Sequence, residues 1–143
     1  MRGLVNQGDG GYMQKDFTPP PPVTNFTATE GNAQVVLNWT NPIDTDFVGL
    51  KILRQTGAYP TSVTDGTVVY AGANVSYTDT TVTNGTTYYY RAFAYDWDNN
   101  YNITTTGQEA TATPLLAFNV YGVKIDTTNS NPCLLYTSPS PRD

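Results

Sequence analysis

The sequence predicts an all-β sandwich of about seven short strands, and three observations carry that expectation. Thr, Val, Tyr, Asn and Gly are abundant while charged residues are few, and branched and aromatic side chains suit a pleated, half-buried surface. Between residues 20 and 114, short runs with alternating apolar positions recur between turn signals at the spacing of a sandwich. No stretch holds a helical period for more than a few residues.

Each element follows from its local pattern. Phe26 and Ala28 alternate with polar residues and give strand A, with a turn at Glu30-Gly31-Asn32. Val35, Leu37 and Trp39 alternate with Val36, Asn38 and Thr40 in strand B. Asn41-Pro42 ends it, because proline cannot donate to a ladder. Strand C covers residues 47–55 with Leu50 and Ile52 inward. A polar loop, 56–66, leads to Val68-Val69-Tyr70 as strand C′. Val75 and Tyr77 mark strand E, and Asn84-Gly85 is a turn. In strand F, Tyr88, Tyr90, Ala92 and Ala94 share one face, so Tyr89, Arg91, Phe93 and Tyr95 share the other. Strand G covers 107–113, with Ala110 and Ala112 inward and Pro114 as the stop. The expected core is Leu37, Trp39, Leu50, Ile52, Tyr77, Val82, Tyr88 and Tyr90, with the Trp39 indole meeting the Tyr88 phenol between the sheets. A unit of about 95 residues buries a modest core without metal or disulfide.

Two features resemble the fibronectin type III family over residues 20–114. Trp39 matches its core tryptophan on strand B. Val82-Thr83-Asn84-Gly85-Thr86-Thr87-Tyr88-Tyr89-Tyr90-Arg91-Ala92-Phe93-Ala94 matches its E–F turn and strand F, with Val82 where the family usually has leucine. The resemblance implies an immunoglobulin-like sandwich and makes Tyr88 a corner tyrosine, its hydroxyl bonded to backbone near Val82.

Composition removes several function classes. The net charge is −5 and the seven basic residues are scattered, without the concentrated basic footprint that nucleic acid requires. Histidine is absent, which removes histidine triads and histidine-ligated metals. No apolar run reaches the roughly 20 residues needed to span a bilayer, and residues 1–16 lack the apolar stretch of a signal peptide. No cofactor is expected.

Asp44, Asp46, Asp79, Asp96 and Asp98 lie in or near loops, but loop aspartates usually cap turns, and a small sandwich offers no deep cleft. No catalytic residues are assigned, and the chain is expected not to be an enzyme. Asp96, Asp98, Asn99 and Asn100 carry oxygens suited to Ca²⁺, but the spacing lacks the glycine and terminal glutamate of an EF-hand loop, so no metal site is assigned. The remaining candidate is aromatic: Tyr89, Phe93 and Tyr95 on the outer face of strand F, with Trp97 and Tyr101 in the next loop. Such rings form a platform for sugar or protein, or pack against neighbouring strands and domains.

The flanks read differently. Residues 1–19 are a linker or the end of a preceding module, and Pro19-Pro20-Pro21-Pro22 favours a stiff extended spacer. Residues 115–132 read as the truncated start of a following module. Their Tyr121-Gly122-Val123-Lys124-Ile125-Asp126 run and Asn129-Ser130-Asn131-Pro132 resemble openings of modules in phage tail or surface proteins. Residues 133–143 match, residue for residue, one translated frame of a transposon-end sequencing adapter, a reading on which Cys133 is non-native; the alternative is a native tail rich in Ser and Pro. The expected context is a structural or binding module of a phage tail or virion surface protein. Its partners would be neighbouring domains of the same polypeptide, a host-surface glycan or another virion protein. The alternatives are an accessory module of a secreted bacterial polysaccharide-degrading enzyme and a cell-surface adhesin repeat; either places it extracellularly or on the cell surface.

Overall fold

The computed structural model describes residues 15–116. The expectations for 1–14 and 117–143, including the phage-like run and the adapter-like tail, lie outside the described residues. Seven strands form two antiparallel sheets: β1 (Thr24–Gly31), β2 (Gln34–Thr40), β3 (Gly49–Thr56), β4 (Thr67–Gly72), β5 (Ser76–Asp79), β6 (Tyr88–Tyr95) and β7 (Glu109–Ala112). One sheet has the order β1-β2-β5 and the other β4-β3-β6-β7. Among the described residues no helix is long and apolar enough to cross a membrane.

The alternating strands face each other across one core. Phe26 of β1 and Val35, Leu37 and Trp39 of β2 pack toward Leu50 and Ile52 of β3, Tyr88, Tyr90 and Ala92 of β6 and Ala112 of β7. Val23 and Val82 close the core from outside the strands, while Tyr70 and Tyr77 are partly buried against it. The indole of Trp39 lies 5.4 Å from the Tyr70 ring and 6.2 Å from that of Phe26, and Nε1 donates to Asn41 Oδ1 at 3.0 Å. Burial thus leaves no unsatisfied indole donor.

Trp39 and Tyr88 share the core but do not stack. β2 places Trp39 at the end where its N–H donates to Val75 O. Tyr88 begins β6 and lies beside Arg54, whose guanidinium carbon is 4.8 Å from the ring. Strand direction separates the two rings, a constraint that facial alternation does not record. The Thr83 N–H donates to the Tyr88 hydroxyl at 3.1 Å.

Three local departures have physical causes. The first hairpin turns at Asn32-Ala33 rather than at Gly31, because Gly31 stays paired with Gln34. Ala33 adopts φ +53°, and its N–H is held by Asn84 Oδ1 at 2.7 Å. The β3–β4 register shifts between Ile52 and Leu53, which inserts Val69 as a bulge. Val75 lies outside β5 and is exposed.

The two ends of β6 define two poles. Its last residue, Tyr95, bridges Tyr101, and there the incoming chain is attached: Asn102 Nδ2 donates to Pro20 O at 2.8 Å and Asn100 Nδ2 to Asp16 O at 2.7 Å. Asp16 and Pro20 are buried, so packed contacts reach back to Asp16 and the proline run is not a detached spacer. At the other pole the Gly85 N–H donates to Pro114 O and the Leu115 N–H to Gly31 O, which seats the exit. Eight residues at about 3.3 Å each set the poles roughly 25 Å apart.

Replacing Trp39 by alanine removes the ring that joins β2 to Phe26 and Tyr70. Trp39→Ala is expected to destabilise by about 3–5 kcal/mol, read as a lower denaturation midpoint; an unchanged midpoint would remove Trp39 from the core.

Candidate functional site

The outer face of the β4-β3-β6-β7 sheet holds the aromatic candidates. Arg91 pairs with Leu53 on β3 and Glu109 on β7, and Phe93 pairs with Lys51. Paired residues share a face, so Leu53, Arg91 and Phe93 are neighbours outside the core. All three are buried: Leu53 and Phe93 at 0% exposure and Arg91 at 5%.

Arg91 is the reason. Its Nη1 donates to Pro60 O at 3.0 Å, and its Nη2 donates to Ile103 O and, at 3.3 Å, to Thr104 O. One guanidinium therefore ties the β3–β4 loop and the β6–β7 loop down over the sheet. Its planar fork suits several carbonyls at once. Its carbon lies 4.8 Å from the Phe93 ring and Nε faces Glu109 Oε1 at 3.7 Å. Gln108, fully buried, donates to Thr104 O and Thr104 Oγ1 and keeps the second loop in place. Asp65 does the same for the first, accepting from the Thr61 N–H and hydroxyl at 2.7 Å each and from Gln55 Nε2. The Thr61 bonds hold its carboxyl below the ordinary value despite the opposing effect of burial.

The five aromatic candidates consequently do not form one platform. Phe93 is buried beneath the loops, which corrects its placement on an exposed face: alternation reports the side of a strand, not what folds over it. Tyr89 meets Tyr59 edge-on at 5.2 Å, and the Tyr59 hydroxyl bonds Thr111 Oγ1 at 2.6 Å. Tyr95 and Tyr101 lie 5.4 Å apart, with Lys51 Nζ 5.1 Å from the Tyr101 ring. Trp97 projects into solvent at the tip of the loop.

The acidic candidates are similarly committed. Asp96, 3% exposed, accepts from the Asp98 and Asn100 N–H groups at 2.8 Å each and from Asn100 Nδ2 at 2.7 Å. Asp98 accepts from the Asp16 N–H at 2.8 Å, and Asp44 accepts from the Asp46 N–H. Among the described residues no group of three or more Asp, Glu, Cys or His could hold a metal ion.

Asp79 is fully buried at the seam between the sheets. It accepts from Arg54 Nη1 at 2.5 Å, from the Thr81 N–H and hydroxyl at 2.9 and 2.7 Å, and from the Tyr90 hydroxyl at 3.0 Å. Burial raises its pKa, but the Thr81 bonds and the Arg54 charge outweigh that and hold the carboxyl below its ordinary 3.8. Burial, then the Asp79 charge beside it, pushes the Tyr90 phenol far up. Next to this cluster lies an open depression of about 290 Å³ lined by Arg54, Gln55, Thr56, Gly66, Thr67 and Tyr88. Its lining offers no carboxylate or imidazole for general acid–base chemistry.

Gln108, Asn102 and the clamping role of Arg91 are what sequence reasoning missed; Asp79 caps its turn through Thr81 as a loop aspartate is expected to, but its bonds to Arg54 and Tyr90 were not foreseen. The Asp79-Thr80-Thr81 spacing carried a usable signal, since Asp commonly bonds the backbone two residues on. Nothing local marked Arg91, whose acceptors lie 12 or more residues away.

Comparison with solved structures gives the architecture its name. The sixth fibronectin type III domain of human fibronectin type III domain containing protein 3 superposes with a TM-score of 0.51 at 17% identity, over 76% of this chain and 98% of that one. The fold is that of a fibronectin type III domain. A β-1,2-glucanase from Parabacteroides distasonis also matches, with a TM-score of 0.52 and 19% identity over 71% of this chain but 13% of the glucanase. In sequence, the amylopullulanase of Thermoanaerobacter thermohydrosulfuricus is 33% identical over 113 residues, 74% of this chain. The chain spans about 7% of the length of that curated relative. No family model matches.

Two predictions follow from the buried charges. Arg91→Ala removes the donors of the Pro60 and Ile103 carbonyls and one of two on Thr104 O, and should cost about 3 kcal/mol, with faster hydrogen exchange in residues 59–65 and 103–108; exchange unchanged in both loops would show that Arg91 does not clamp them. Asp79→Asn should cost about 3 kcal/mol at neutral pH by stranding Arg54. Because the folded pKa of Asp79 lies below its unfolded value, the wild-type advantage is complete above about pH 4 and shrinks as pH falls through the lower folded value. Denaturant titrations of both proteins from pH 7 to pH 2 test this, and a gap that widens on acidification would contradict it.

Proposed function

We propose that this fibronectin type III module is a non-catalytic spacer and accessory domain within a larger extracellular protein that acts on polysaccharide. The observation that carries the reading is the arrangement of the chain's two attachments: Pro20 is held at one pole and Pro114 at the other, with the length of β6 between them. A unit entered and left at opposite ends holds its neighbours apart. Its ionisable groups support the reading, because Asp79, Asp96 and Arg91 are engaged in the fold's own hydrogen bonds.

The polysaccharide context comes from likeness to the amylopullulanase and the β-1,2-glucanase. It favours the accessory role over the phage-tail role expected from the run at residues 121–132. Fold alone does not choose between them, because function resides in sites placed on folds.

The test uses the complete polypeptide encoded by the full reading frame. Removing residues 16–116 from it should leave hydrolysis of a short soluble oligosaccharide unchanged and reduce hydrolysis of the polymer. Loss of activity on the short substrate would place this module in the catalytic machinery. A reading frame that encodes virion structural domains and no carbohydrate-active domain would return the phage-tail role.

A further inference from the structure

The sequence contains one Asn-Gly pair, Asn84-Gly85, in the turn between β5 and β6. Such a pair is chemically labile wherever the backbone is free to bend, because glycine has no Cβ to shield its nitrogen and asparagine is a thermolabile residue. The Gly85 nitrogen attacks Asn84 Cγ. The N–Cγ bond forms, the Cγ–Nδ2 bond breaks, and Nδ2 leaves as ammonia with the proton from the Gly85 nitrogen. Water then opens the cyclic imide at one carbonyl to give aspartate, or at the other to give isoaspartate. Solvent reaches the pair, since Gly85 is exposed and Asn84 half-buried.

The fold engages each group this reaction needs. The nucleophile, the Gly85 N–H, donates to Pro114 O at 2.8 Å. The leaving group, Asn84 Nδ2, donates to Asn32 Oδ1 at 2.8 Å, and Asn84 Oδ1 accepts from the Ala33 N–H at 2.7 Å. The side-chain amide is thus held on the β1–β2 turn, while the nitrogen that must reach it is held on the exit segment. The Ala33 donor by itself polarises Cγ and favours attack. The block therefore lies in the engaged nucleophile, the engaged leaving group and their orientation. The Leu115 N–H, bonded to Gly31 O at 3.1 Å, keeps Pro114 in its place.

We propose that Asn84-Gly85 is a latent deamidation site at the exit pole, closed while Pro114 and the β1–β2 turn are seated and opened when they release. The inference is independent of the spacer reading. Its two products differ in consequence. Asn32 can turn its own amide and donate to an aspartate at position 84. Isoaspartate adds one carbon to the main chain of a turn in which Gly85 sits at φ +84°. It is expected to unseat the Gly85 N–H from Pro114 O, which makes the opening permanent.

Peptide mapping by mass spectrometry reads conversion at Asn84 after the full 143-residue chain is held at mildly alkaline pH, with and without urea above its unfolding transition. Three bonds of ordinary net strength make the folded chain convert on the order of 100-fold more slowly than the unfolded one. Asn32→Ala, at an exposed position, frees the leaving group, and Pro114→Gly loosens the segment that holds the nucleophile. Each is expected to raise the folded-state rate about fivefold, the effect of one such bond. The Trp39 indole N–H resonance, set by its bond to Asn41, reports that the sheets stay closed in both variants. Equal rates in the folded and unfolded chain would overturn the proposal, and so would a folded-state rate that neither substitution raises. The isolated isoaspartyl form should exchange its Gly85 and Leu115 amide hydrogens faster than the parent chain. Unchanged exchange there would overturn the permanent opening.

Discussion

The outer face of this sandwich depends on one guanidinium. Arg91 sits in the middle of β6, the strand that pairs with both β3 and β7, and its donors reach carbonyls on two loops, one before and one after it in the chain, at Pro60 and Thr104. With those loops closed, β6 is buried on both faces: Tyr90 and Ala92 toward the main core, Phe93 toward a second apolar layer with Leu53. A sheet face of an antiparallel sandwich is commonly left to water. Here it is covered, and burial of Phe93 and Leu53 contributes on the order of 1.5–3 kcal/mol per side chain relative to exposure. The arginine offsets its own desolvation through multiple charge-assisted bonds rather than through one ion pair.

The same logic separates structural from chemical roles for the acidic groups. Asp79 combines burial, a charged partner and a lowered pKa, a combination that also marks catalytic residues. What it lacks is access. Its oxygens accept four hydrogen bonds from Arg54, Thr81 and Tyr90, and it lies at the seam between sheets with 0% exposure. A carboxylate already saturated by donors stabilises its ionised form and is a poor proton acceptor. Asp96 is spent in a similar way on the turn that supports Trp97.

Much of the fold was legible because it rests on period-two alternation and local turn chemistry. Val35, Leu37 and Trp39 on β2 and Leu50 and Ile52 on β3 announce their inward faces in sequence, and Asn84-Gly85 announces its turn, with Gly85 at φ +84°. The candidate site was far less legible. Alternation correctly put Phe93 on the opposite face from Tyr90, but exposure depended on where residues 59–60 and 103–104 come to rest, which is a property of loop closure and not of the strand. The entry segment was misread for the same reason. Four prolines describe a stiff local conformation, yet the acceptor on Pro20 and the donor on Asn102 are 82 positions apart, and no local pattern records such a pair.

That distant bond also joins two features that look separate. Arg91 Nη2 donates to Thr104 O, the Thr104 N–H donates to Asn102 Oδ1 at 3.0 Å, and Asn102 Nδ2 donates to Pro20 O. The clamp on the outer face and the strap at the entry are therefore consecutive links of one hydrogen-bonded chain running from β6 to the incoming backbone. Of the bonds that hold the strap, those of Asp98 and Asn100 are only partly buried and compete with water, whereas the Asn102 bond is buried. In a low-dielectric setting the buried bond is the stronger electrostatically and the more costly to leave unmade. The seat of Pro20 is thus set by Asn102. Asn102 is held in turn by the loop that Arg91 keeps closed, so the stiffness of the entry and the burial of the outer face rise and fall together.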